Sequence, residues 1–304
     1  MALHTTSGRT RLGIALATTT MLAWATLPIV LSVLIRTLEP ETLTWFRFTL
    51  SAVVLALFLS RRGGLPRLRS LSRVDWALLA AATLGLASNY VLFLVGLELT
   101  TAANVQILMQ LSPLLLALGG IAIFGERLSR IQWTGLGIIV AGLALFFSDQ
   151  LRAFIDDGSR YLLGCAALVA ASLLWAVYGL AQKQLLVRFS SPALLLCIYT
   201  GCALFLAPLI HPTQIAQLSG LHFALLIYCA ANTLVAYGAF SASLEHLEAS
   251  RVGAIIALTP IATFGLIALT QLLEPGALAP EHFSGQMLFG AGAVVAGSVL
   301  TSRG

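Results

Sequence analysis

Met21-Leu22-Ala23-Trp24-Ala25 and, 151 residues later, Ser172-Leu173-Leu174-Trp175-Ala176 write one pattern twice, each time inside a long apolar run. The correspondence extends outward from there. Tyr90 returns 147 residues later as Tyr237, and Leu111-Ser112-Pro113 returns as Leu258-Thr259-Pro260. After a short insertion, Gly135, Gly137 and Val140-Ala141-Gly142 return at an offset of 155 as Gly290, Gly292 and Val295-Ala296-Gly297. The chain divides into two repeats, residues 1–155 and 156–304, each holding five apolar segments. An odd number of spans turns the second repeat upside down relative to the first. Inverted repeats of this kind build secondary transporters, with the substrate site at the repeat interface.

Composition points the same way. Of 304 residues, 59% are hydrophobic and 10% charged, with a mean hydropathy of +0.94, outside the range of soluble domains. No Asp, Glu, Lys or Arg occurs from Phe189 to Leu244. Crossing about 30 Å of hydrocarbon takes about 20 apolar residues. Ten such spans are expected: 12–35, 41–60, 75–97, 101–124, 131–148, 161–185, 192–210, 221–244, 250–273 and 284–301. They are read as helices, since lipid leaves no partner for unpaired backbone groups and barrel strands would alternate polar with apolar. The fold class is therefore all-α integral membrane, ten helices in two inverted five-helix repeats. The first span is too long for a signal peptide and reads as an uncleaved helix. Cys165, Cys197, Cys202 and Cys229 lie inside spans and have no zinc-ligand spacing.

Charge sets the orientation. With the N-terminus in the cytoplasm, that side collects Arg9, Arg11, Arg61, Arg62, Arg67, Arg69, Arg73, Arg127, Arg130, Lys183, Arg188, Arg251 and Arg303, thirteen against Arg36, Arg152 and Arg160 opposite. This positive-inside bias places both termini of a multi-pass inner-membrane protein in the cytoplasm. It also accounts for the net charge of +5 without nucleic acid.

The stretch Thr101-Ala102-Ala103 through Leu111-Ser112-Pro113-Leu114, followed by Phe124-Gly125-Glu126-Arg127-Leu128 and Gln132-Trp133-Thr134-Gly135, resembles the fourth span and its exit in the drug/metabolite transporter superfamily, EamA type. Leu273-Glu274-Pro275 repeats it in weaker form, and Arg47 matches an arginine often found early in span two. The resemblance covers essentially the whole chain and specifies a superfamily rather than a substrate. It implies a ten-helix carrier of small metabolites, with export of amino acids or related compounds as the usual activity. Inner helices would surround a cavity, with spans five and ten peripheral.

Several residues are candidates for the transport path. Pro28 and Gly179 share one repeat position, four residues after Trp24 and Trp175, and helix-weakening residues at matching positions point to a transporter's binding region. They read as a hinge or a cavity wall. Pro113 and Pro260 form a second pair, read as a fixed kink needed for packing or as a hinge. Asn89 and Tyr90 lie in the second half of span three. Gln106, Gln110 and Pro113, at i, i+4 and i+7, share one face of a continuous helix. Their counterparts are Gly253, Ala257 and Pro260, so the pocket is expected to be amide-lined on one side and open on the Ala257 side. Trp24, Trp175, Tyr178, Tyr199 and Tyr237 add aromatic surface. Trp24 and Trp175 sit too deep for an interfacial belt and read as ligand cavity or core packing. Arg47, a formal charge set in from the end of its span, reads either as snorkelling to water or as a contact for a substrate carboxylate. Gly137 with Ala141, and Gly292 with Ala296, permit close helix contact that joins the two halves or two copies, leaving monomer and homodimer open.

Absences narrow the function further. No Asp or Glu lies at mid-span, which argues against a proton-coupled exporter of organic cations, and nothing calls for a cofactor or metal. The expected activity is transport of a small neutral or zwitterionic metabolite by alternating access. The rival class is a membrane enzyme acting on lipid or polyprenyl substrates, which needs an acid–base or metal constellation. Its best candidate is Glu245-His246-Leu247-Glu248, with His211, His222 and His282 standing apart; a solvated loop explains that cluster.

Overall fold

The computed structural model describes residues 6–66, 68, 71–156, 158–273 and 285–302. Arg67, Arg69, Glu274, Pro275, His282 and Arg303, all used above, lie outside the described residues. The chain forms α1 (Thr10–Leu34), α2 (Pro40–Arg61), α3 (Arg73–Leu99), α4 (Ala102–Leu108), α5 (Leu111–Phe124), α6 (Arg130–Asp156), α7 (Gly158–Leu185), α8 (Ser191–Leu206), α9 (Pro212–Ala216), α10 (Gly220–His246), α11 (Ala249–Ile256), α12 (Thr259–Leu273) and α13 (Gly285–Ser302). No strand occurs among the described residues.

Local signals fix the ends. The Ser72 side chain accepts from the Asp75 backbone while Asp75 reaches back to the Ser72 backbone, a capping box that starts α3. Ser219 caps α10 through the His222 N–H. Pro40 and Pro192 stand in the first turns of α2 and α8, where a missing N–H costs nothing. Gly125, at φ 66°, ends α5 in the left-handed conformation.

Among the described residues, eight stretches are long and apolar enough to cross a membrane. The expected fifth and tenth spans fall within α6 and α13, whose described apolar stretches are Arg130–Leu145 and Gly292–Thr301. Large apolar side chains such as Leu57, Leu204, Leu221 and Leu272 stand exposed around the bundle, which lipid explains and water does not.

The helix pairings exchange under the repeat. The repeat maps α1 onto α7, α2 onto α8, α3 onto α10, α4–α5 onto α11–α12, and α6 onto α13. The main pairings are α3 with α7 and its image α10 with α1, and also α2 with α8 and α6 with α13, each joining an element to its own image. The α6–α13 contact uses the small residues. A Cβ on Gly135 would meet the Gly297 carbonyl oxygen at 2.5 Å, and one on Gly142 would meet that of Gly290 at 2.8 Å. Gly137 and Gly292 have nothing within 4 Å of a Cβ, so the two halves are joined through the neighbouring glycines.

Spans four and nine are not continuous helices. α4 ends at Leu108 and α5 begins at Leu111; α11 ends at Ile256 and α12 begins at Thr259, the same repeat position. Pro113 and Pro260 supply the cause: each lacks an N–H and its ring clashes with the carbonyl four residues back, on Met109 and Ile256. Thr259 Oγ1 donates to the freed Ile256 carbonyl at 2.6 Å. The pair expected to kink a helix breaks it in both halves.

Candidate substrate cavity

A cavity lies where the two breaks meet, with about 690 Å³ of empty space when its open mouth is included. Trp24, Leu27, Pro28 and Leu31 of α1 line it, with Arg47 of α2, and Asn89, Tyr90 and Phe93 of α3. Gln106, Met109, Gln110, Ser112 and Pro113 come from the first broken span, and Ile256 and Thr259 from the second; Trp175 and Tyr237 complete it. Neither half forms the wall alone.

The repeat-related aromatics meet in pairs. Trp24 and Trp175 stand edge to face with ring centroids 5.6 Å apart, and Tyr90 and Tyr237 are also 5.6 Å apart. Trp24 further packs edge-on against Tyr237 at 5.0 Å. Contacts of this geometry add about 0.5–1.5 kcal/mol each beyond area burial and fix the ring positions.

The polar lining is only partly satisfied. Gln110 donates from Nε2 to the Gln106 carbonyl at 3.2 Å, while its Oε1 and the Ser112 hydroxyl, both buried, have no partner. Asn89 donates to the Ala171 carbonyl at 2.9 Å, so its amide also ties α3 to α7. Buried polar atoms without partners are costly, and a bound solute with complementary groups relieves that cost.

Arg47 does not snorkel. It is 2% exposed; its Nε donates to Thr233 Oγ1 at 2.9 Å and its guanidinium carbon lies 4.6 Å from the Tyr90 ring centroid. Its Nη2 has no partner, and no ion pair to Arg47 occurs among the described residues. The side chain turns inward because α10 offers Thr233 and α3 offers an aromatic face.

Several expected residues lie off the lining, Tyr199 and Gly253 among them. Tyr178 is fully buried behind it, 5.8 Å from the Tyr237 ring and 6.1 Å from Phe240. Gly179 packs against α5, where a Cβ would stand 3.0 Å from Leu116 Cδ1, so contact explains it better than bending. Ala257 clusters with Ile139, Leu143 and Val294 of the α6–α13 layer, and Pro260 follows it outside the cavity. The open side expected at Ala257 is formed by its neighbours Ile256 and Thr259 instead.

Toward the Glu126 end of the bundle the lining stops at Pro113 and Ile256, and Val252, Ala249 and Lys183 beyond it are buried. There Lys183 Nζ lies 2.6 Å from Glu126 Oε1, with both side chains almost fully buried. Glu126 also accepts from the Ala249 N–H at 2.9 Å, the Ser250 N–H at 3.1 Å and the Ser250 hydroxyl at 2.9 Å. Burial pushes the Glu126 pKa up, but Lys183 and the two backbone donors outweigh it and hold the group below its ordinary value. In the sequence the one local mark of this cluster is Glu126 within the Gly125-Glu126-Arg127 motif. At the same end Ser7 bonds His246, Glu245 accepts from the Ser191 N–H, and Glu248 pairs with Arg251. The metal-like run 245–248 is thus spent on end contacts, and no metal-holding group occurs among the described residues.

A profile of the EamA-like transporter family matches residues 11–148 and again 162–303. The Escherichia coli protein named "Uncharacterized inner membrane transporter YhbE" is 36% identical over 294 residues, covering 96% of this chain and 92% of the relative. An Ancylobacter novellus protein named "Aromatic amino acid exporter YddG" is 28% identical over 167 residues, covering 55% of this chain and 56% of that one. A crystal structure at 20% identity superposes with a TM-score of 0.68 over 95% of each chain, a likeness of fold. These matches indicate a membrane transporter rather than an enzyme.

Proposed function

The chain belongs to the EamA-like transporter family, and on that premise we propose that it carries a small neutral or zwitterionic metabolite, of the amino-acid kind, across the inner membrane by alternating access. The observation that carries this reading is the cavity itself, bounded by two repeat-related aromatic pairs and by both helix breaks. Transporters bind substrate where discontinuous helices from two repeats meet. The aromatic lining suits an apolar side chain, Gln106 and Gln110 suit polar groups, and Arg47 with its free Nη2 meets a carboxylate. The lining holds no Asp or Glu, so an organic cation finds no counter-charge. Export is the direction taken from the relative named as an aromatic amino acid exporter.

Ten spans in two inverted repeats, residues 1–155 and 156–304, with the arginine-rich end in the cytoplasm, complete the proposal. Cysteines replacing Arg62 and Gln217, both exposed, in a background free of the natural cysteines should label from opposite membrane faces; same-side labelling would end the inverted arrangement. For the substrate, purified protein is melted with phenylalanine, leucine or phenethylamine. Stabilisation by the amino acids, about 2.7 kcal/mol at a hundredfold excess over Kd, with none from the amine, is expected. Stabilisation by the amine alone would overturn the assignment.

A further inference from the structure

Glu126 stands 57 residues from Lys183 and 123 from Ala249 in sequence, yet touches both. It leaves the end of α5 in the first repeat and lies over the N-terminus of α11 in the second, accepting two backbone donors and the Ser250 hydroxyl. An anion at that position meets both unpaired N–H groups and the positive end of the helix dipole. Room for the carboxylate comes from Gly120, where a Cβ would stand 2.5 Å from Glu126 Oε2. Lys183 of α7, 1% exposed, supplies the counter-charge. One side chain thus fastens α5, α7 and α11 together.

α11 is only eight residues long, and its last residue, Ile256, lines the cavity. Its middle presses on α5, with a Gly253 Cβ position 2.7 Å from the Pro113 carbonyl oxygen. A movement that parts α11 from α5 therefore opens the cavity floor and must first release Glu126. Outward of the breaks, the images α4 and α12 touch only sparsely.

We propose that Glu126, paired with Lys183 and capping α11, is the latch that holds the cytoplasmic end of the cavity shut, so that each transport cycle requires its release. The proposal rests on the alternating-access reading above. Glu126 is a positioning residue, since it touches no substrate. Removing it lowers the cost of opening, which shifts the population toward the inward-facing form.

The test uses the full chain in inside-out vesicles, free of its natural cysteines, with Val252→Cys as reporter. Val252 is fully buried in the closed end. A membrane-impermeant maleimide applied to the cytoplasmic face should label it about tenfold faster in Glu126→Gln than in the parent, a population shift matching one lost charge-assisted hydrogen bond. Glu126→Asp, which keeps the charge, should restore most of the protection. Glu126→Gln with Lys183→Met, which leaves no unpaired buried charge, keeps the test decisive if the single variant folds poorly, and should still label fast. Equal labelling of parent and charge-free variants overturns the latch, whether or not transport is seen. Labelling that changes as expected while phenylalanine binds nowhere upholds the latch and instead removes the substrate assignment.

Discussion

The two broken spans begin from the same plan and end in different states. α4 starts under Thr101, whose hydroxyl accepts from the Asn104 N–H at 3.2 Å within its own turn. α11 starts at the equivalent point under Glu248, which makes no side-chain cap, and is held instead by Glu126 from the other repeat. At the breaks the first span offers the amides of Gln106 and Gln110 to the cavity, and the second offers Ile256 and the smaller Thr259. The breaks thus recur at matching repeat positions, while the unlike side chains give the two spans different caps and different faces toward the cavity.

Gly253→Val should have the largest effect. Its Cβ would stand 2.7 Å from the Pro113 carbonyl oxygen, a backbone atom with little room to move. Transport should be lost and stability reduced by about 1–3 kcal/mol, the usual cost of overpacking. Gly265→Ala, where nothing lies within 4 Å of the added carbon, is the matched control and should be silent. If Gly253→Val transports normally, the α5–α11 contact is not a closed floor.

Ala257→Phe sharpens the comparison next. Because Ala257 packs with Ile139, Leu143 and Val294, the substitution should cost about 1–3 kcal/mol of stability yet leave ligand affinity unchanged. A large loss of affinity with normal melting would return Ala257 to the cavity wall.

Gln110→Ala should weaken binding by about tenfold, the worth of one buried hydrogen bond of roughly 1–2 kcal/mol, with no change in melting. Silence in both Gln110→Ala and Gln106→Ala would mean that the amide face serves packing.

The smallest effect expected is on pH dependence. A carboxylate whose folded pKa is depressed contributes stability that is complete above its unfolded value and is lost as pH falls through the folded one. The melting difference between the parent and Glu126→Gln should hold constant from neutral pH down to the ordinary glutamate value of 4.5, then shrink below it. A difference that disappears well above that value would show a raised, not lowered, Glu126 pKa.

Much of this was readable beforehand, for physical reasons. The sequence marks Trp24 with Trp175 and Tyr90 with Tyr237 as repeat-related, and each pair meets with ring centroids 5.6 Å apart. Gln106 and Gln110 both line the cavity although the first span breaks at 109–110, so the face they share is not that of one continuous helix. Ala257 holds the repeat position of Gln110 yet packs against Ile139, Leu143 and Val294, because which side of the second span faces the α6–α13 layer is set by helices distant in sequence. Asn232, which donates to the Ala23 carbonyl at 2.7 Å, and the Glu126–Lys183 pair join helices far apart in sequence, and no local pattern announces such contacts. Arg47 left two readings open because exposure depends on its neighbours, Thr233 and Tyr90, on other helices.

The most direct test of the account is counterflow of radiolabelled phenylalanine in proteoliposomes, with the recovered solute checked by mass. Saturable movement of unchanged phenylalanine, lost in Trp175→Ala and retained in the peripheral Gly292→Ala, is the expected result. A product of altered mass, or transport untouched by Trp175→Ala, would contradict a carrier working through this cavity.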